Sequence, residues 1–296
     1  MSGVPTEPNP HVAWRMEAAR RAAGVYSRNP KLAALTVAGS VGAGVADQFS
    51  DLELDCYWSA PVSDQDRTGP VRALGGTLTT LWDYDADEEE WSDDFRLGEL
   101  DVTVSNFLTS TVDRFLDQVI GQADTDLVKH MRLAAVQRSQ PLAGEHLISS
   151  WRARAGQYPD RLVAAMVEQS LRPDVLTGWG ARDACAARHD DLALRALLTR
   201  IGYAVATAVL ALNRAYLPHR RLKWQRHLLS GLAVAPDQLV PRLDRLAGAP
   251  AAEAIPVAEE LLAETLQLAE EHTTADLTSF RAEWSERRRA RYPPGG

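Results

Sequence analysis

The run Ser50-Asp51-Leu52-Glu53-Leu54-Asp55-Cys56 narrows the possible folds more than any other feature of the chain. Acidic and apolar residues alternate strictly, which is the period of a β-strand with one face inward. Asp51, Glu53 and Asp55 then share one face, and Leu52, Leu54 and Cys56 point toward a core. Three like charges on one face of a short strand repel each other. A divalent cation offsets that repulsion, and magnesium is bound by one or two carboxylates together with phosphate oxygens. Just upstream, an apolar strand at 33–37 ends in Gly39-Ser40, and a glycine-bearing segment follows. Ser40 and the adjacent backbone N–H groups of such a turn form a ready cradle for triphosphate oxygens.

A second segment, 99–107, repeats the pattern. Asp101, Thr103 and Ser105 fall on one side, and Leu100, Val102 and Val104 on the other. If the two strands are neighbours, Asp101 joins Asp51 and Glu53 in a cluster able to hold two metal ions ~3.5–4 Å apart, suited to in-line displacement at phosphorus. Residues 77–82 read as a further strand. Between it and 99 lies an acidic stretch, 83–94, in which eight of twelve residues are acidic. That stretch reads as a solvated loop which, near a site, would attract a cationic ligand. Residues 11–26 form an amphipathic helix with Met16, Ala19 and Ala23 inward and Arg15, Arg20 and Arg21 outward. Helices at 145–156, 160–171, 190–216 and 253–273 follow, with Asp160 as an N-cap after Pro159. Strands first and helices later predict an α+β chain: a mixed-sheet domain over 1–140 and a C-terminal helical bundle over 141–296.

Composition excludes several classes. With 32 basic and 40 acidic residues, the net charge is −8, against the basic face of a duplex-binding protein. The two cysteines, Cys56 and Cys185, support neither a disulfide framework nor a zinc ribbon. The N-terminal MSGVPTEPNPH lacks the pattern of a signal peptide, and the apolar run 203–212 is far short of the ~20 residues a membrane span needs. A cytoplasmic, membrane-free protein is expected. Gly42-x-Gly44 lacks the third glycine and the following helix of a dinucleotide site. No P-loop is present.

Gly39-Ser40, then Asp51-x-Glu53, then a later-strand carboxylate at Asp101 resembles the nucleotidyltransferase superfamily, whose fold is shared by DNA polymerase beta. The Ser-Asp-x-Glu form looks most like the branch that modifies aminoglycoside and lincosamide antibiotics. Leu212-Asn213-Arg214-Ala215-Tyr216-Leu217-Pro218 with Lys223-Trp224 resembles the helical segment of relatives of streptomycin adenylyltransferase. The resemblance implies a transferase that moves a nucleoside monophosphate, AMP from ATP by default, onto a hydroxyl of a small acceptor such as an antibiotic. It implies magnesium, two ions, held by Asp51, Glu53 and Asp101, with Asp101 a metal ligand or the general base. It also implies a nucleotide held by Gly39, Ser40 and Lys223. The acidic insert leaves Glu99 as a rival for the third carboxylate. A sugar, a natural-product intermediate or a protein side chain could replace the antibiotic, and a non-catalytic, antitoxin-like module could keep the same fold.

Overall fold

The computed structural model describes residues 9–289. The first eight residues of the N-terminal segment read above, and residues 290–296, lie outside them. The described residues form two compact units: 9–122 with 128–157, and 123–127 with 158–289.

The first unit holds α1 (Pro10–Tyr26), β1 (Leu32–Val37), α2 (Gly39–Gly42), β2 (Leu52–Trp58), α3 (Asp64–Ala73), β3 (Thr77–Leu81), β4 (Trp91–Leu97), β5 (Leu100–Leu108), α4 (Thr109–Gln122), α5 (Leu127–Arg138), β6 (Gln140–Ala143) and α6 (Glu145–Ala155). Its six strands form one mixed sheet in the order β3-β4-β5-β2-β1-β6. Only β2 and β5 run parallel, with Leu52 opposite Val102 and Glu53 opposite Thr103. The sheet unit reaches past residue 140 because β6 pairs with β1 and α6 brings Trp151 edge-on to Tyr57 at 5.0 Å.

The alternation in β2 sorts its side chains as the sequence requires. Leu52, Leu54, Cys56 and Trp58 are buried with Leu35, Val37, Val102, Val104 and Phe95 in one core, which α1 closes with Ala19, Ala22 and Tyr26. Burying side chains of this size contributes about 1.5–3 kcal/mol each. Glu53, Asp55 and Tyr57 therefore occupy the opposite face, alongside Thr103, Ser105 and Phe107 of β5.

Two sequence expectations fail here. The stretch 83–94 is not wholly a loop: from Trp91 it is β4, paired with β3 and β5. Arg15 is not on the solvent side of its helix but buried, where its guanidinium donates to the carbonyls of His11 at 2.7 Å and Ser50 at 2.5 Å.

The second unit is helical: α7 (Asp160–Ser170), α8 (Arg182–Ala187), α9 (Asp191–Leu212), α10 (Gln225–Leu229), α11 (Leu239–Gly248), α12 (Ala251–His272) and α13 (Thr278–Arg288). The N-cap of α7 is Pro159, and Asp160 opens the helix without a side-chain cap. Helix α9 packs against α7, α11 and α12. By length and composition it could cross a membrane, and 56% of its most apolar stretch is buried inside the protein.

Candidate functional site

The face of the sheet opposite the α1 core changes character along its length. Toward the C-terminal ends of β2 and β5 it is covered. Asp55 is buried against the Arg132 guanidinium of α5 at 2.8 Å, and that guanidinium also stacks on the Phe107 ring at 3.5 Å. The Tyr57 hydroxyl donates to Asp55 at 3.3 Å, and burial raises its pKa well above the usual tyrosine value. Asp55 is thus committed to an internal ion pair. Toward the N-terminal ends the face opens, with Asp51 and Asp101 exposed and Glu53, Asp94 and Thr103 half-buried.

Gly39 joins the Gly-Ser turn to this open end. Its φ is +56°, a region that side chains disfavour. A Cβ there would lie 2.5 Å from the Glu53 carboxylate, so any other residue would strain the turn and push that carboxylate aside. The Ala38 N–H donates to the Glu53 carbonyl at 2.9 Å, which fixes the turn to β2. After α2, the loop to Asp51 is held at several points. Asn9 donates to the Ala46 carbonyl at 2.8 Å. The Asp47 carboxylate accepts from the Phe49 N–H at 2.9 Å, an Asx turn. Arg15 clamps Ser50, the residue before Asp51. Phe49 is left 86% exposed at the loop tip.

The register of β2 and β5, carried one residue upstream, sets Asp51 beside Asp101. The Asp101 carboxylate, 71% exposed, is occupied by Arg96 of β4 at 3.0 Å. Among the described residues, no group of three or more His, Cys, Asp or Glu side chains is placed to hold a metal ion. Asp51, Glu53 and Asp101 share a face and an end of the sheet but do not close into one cluster. The donors at this end are all hard oxygens, with no His or Cys among the named residues. That set suits magnesium in its mode of one or two carboxylates completed by phosphate, with Asp51 and Glu53 as the pair. Glu99 sits at the tip of the two-residue β4–β5 turn, after Gly98 at φ +62°, and so off the strand face that carries Asp101.

Sequence reasoning missed two acids near this face. Asp94 accepts from Thr103 and from the Trp82 indole, both at 2.8 Å. Glu90 reaches the Ser105 hydroxyl at 3.4 Å and Arg132 at 3.5 Å. Burial raises the Glu90 pKa to about 7; the Arg132 charge opposes the shift, and the Asp55 charge adds to it. The strand period that would have exposed both acids was hidden in a charged run.

Lys223 lies in the helical unit, exposed in the turn between α9 and α10. Burial lowers the pKa of His219, and the charges of Lys223 and Arg221 in the same turn lower it further. The neighbouring motif has a structural role. Asn213 exchanges hydrogen bonds with Val234, donating at 2.7 Å and accepting at 3.0 Å. Arg214 donates to the Tyr158 carbonyl at 2.5 Å, and Tyr216 packs on Tyr158 at 4.9 Å.

A family model described as a domain of unknown function (DUF4037) matches residues 127–225. No curated protein matches the chain. Among solved structures, the chain is similar to a nucleotidyltransferase-like protein from Exiguobacterium sibiricum 255-15, at 13% identity and a TM-score of 0.40. That match covers 93% of this chain and 81% of the other.

Proposed function

We propose that this chain is a nucleotidyltransferase that transfers a nucleoside monophosphate, AMP by preference, from a nucleoside triphosphate to a hydroxyl of a small acceptor. The supporting observation is the seat of Gly39 on Glu53, at an end of the sheet where Asp51, just before β2, and Asp101 of the parallel neighbour β5 stand exposed. An acceptor oxygen attacks the α-phosphorus, the bond to the α,β-bridging oxygen breaks, and pyrophosphate leaves. The turn at Gly39-Ser40 orients the triphosphate through backbone N–H groups. Asp101, once released from Arg96, takes the acceptor proton. Asp51 and Glu53 would hold magnesium, which supplies neutralisation of the triphosphate charge.

Charge supports the choice of acceptor class. Exposed Trp82 and Tyr84 flank the acidic residues that precede Glu90, a surface suited to a cationic, hydroxyl-rich molecule such as an aminoglycoside-type antibiotic. Sugars, natural-product intermediates and protein side chains are the alternative acceptors. The protein is assigned to the cytoplasm, with no membrane or duplex nucleic acid as partner.

The deciding experiment incubates the protein with magnesium, each labelled triphosphate and a panel of hydroxyl-bearing antibiotics, and follows pyrophosphate. Asp51→Asn is expected to lower turnover by at least about 100-fold while leaving the thermal melt in place. Full activity in that variant rejects the assignment. The Arg96–Asp101 pair favours a second reading, a non-catalytic module of the same fold, and pyrophosphate release with any acceptor removes it.

A further inference from the structure

The helical unit carries a groove of about 710 Å³ between α7, α9 and the turn at Pro173–Leu176. A volume of this size holds a small organic ligand. One stripe of α9 forms its wall: Leu192, Ala196, Thr199, Tyr203 and Thr207 recur at helical spacing. Small residues at 196, 199 and 204 keep the space open where longer side chains would fill it. The floor is apolar in behaviour even where it is polar in name. The Ser170 hydroxyl donates to the Met166 carbonyl at 2.7 Å, and the Thr207 hydroxyl to the Tyr203 carbonyl at 3.0 Å. Their donors are spent on their own helices. At the mouth, Leu192 is 88% exposed.

The charge of the lining is opposite to that of the protein. The groove is lined by Arg172, Arg195 and Arg200 against one carboxylate, Asp174, which leaves two positive charges in a chain of net charge −8. Asp174 pairs with Arg172 at 3.1 Å. Arg195 gives both terminal nitrogens to the carbonyls of Leu246 and Ala249 at 2.7 Å, and Arg200 donates to the Thr177 carbonyl at 2.9 Å. Carbonyl partners hold a guanidinium in place without neutralising it, so the mouth keeps its positive charge.

We propose that this groove binds an anionic amphiphile, with the apolar body along the Leu192–Tyr203 stripe and its carboxylate at Arg200 on the cationic rim. The site is separate from the nucleotidyltransferase reading and stands or falls without it.

The test is calorimetric titration of the full chain with sodium dodecanoate and with dodecyltrimethylammonium, both below micelle formation. Dodecanoate is expected to bind once per chain and at least about tenfold more tightly than the cation. Ala196→Trp plugs the groove from an exposed helical position and is expected to abolish binding. Arg200→Glu keeps the groove, inverts one charge and is expected to weaken dodecanoate about tenfold or more. Thermal melts establish that each variant is folded, and Arg200→Glu decides the matter if Ala196→Trp is not. Absence of dodecanoate binding, equal binding of the two amphiphiles, or binding unchanged in a folded variant overturns the proposal.

Discussion

Gly39 combines a positive φ, which strains any residue with a side chain, with an approach to the Glu53 carboxylate that a methyl group would displace. Gly39→Ala should cost about 1–3 kcal/mol in stability and remove binding of a magnesium-loaded triphosphate, measured by calorimetry. Unchanged binding would detach the turn from the nucleotide. Glu90 is the second residue whose surroundings set its behaviour. Burial lifts its pKa from the usual 4.5 to about 7. The folded protein therefore keeps a proton that the unfolded chain releases as pH rises through that interval. Stability falls with rising pH across that window, by about 3 kcal/mol in total. Glu90→Gln should flatten this slope in denaturant titrations from pH 4.5 to 8; an unaltered slope would place the titration elsewhere.

At the scale of the element, β4 shows why a charged run can hide a strand. Asp93 points into the α1 core, where the Arg67 guanidinium of α3 meets it at 2.5 Å and Asn106 donates to it at 2.8 Å. Arg67 also donates to the carbonyls of Trp82 and Ser92. An inward carboxylate breaks the apolar-polar alternation by which strands are read. Its partners, Arg67 and Asn106, are remote in sequence. Helix α5 does the same on the other face, with Arg132 neutralising Asp55 and Glu90 together. Arg132→Met should cost about 3–5 kcal/mol, because the buried Asp55 carboxylate loses its cation. A loss below 1 kcal/mol in urea titrations would mean that the pair is exposed in solution.

At the scale of the whole molecule, the sheet unit depends on a strand and a helix that follow residue 140. Strand β6 covers the edge of β1, and Trp151 covers Tyr57. A fragment ending at Gln157 should keep a cooperative melt by circular dichroism. One ending at residue 140 should lose it and aggregate through the bare β1 edge. Equal behaviour of the two fragments would contradict the division of the chain at Gln157.

The sequence by itself determined the strand at 52–58, the face each of its side chains takes, the Gly-Ser turn before it and the helical character of the second half. Period and turn chemistry are local, so neighbouring residues suffice to specify them. Tertiary structure alone decided which carboxylates remain available. Asp55, one of three equal acids in the run, is consumed by Arg132 and Asp101 by Arg96, while Asp51 stays exposed at the open end of the sheet. Burial and ion pairing depend on residues brought together from distant parts of the chain, and no local pattern carries that information.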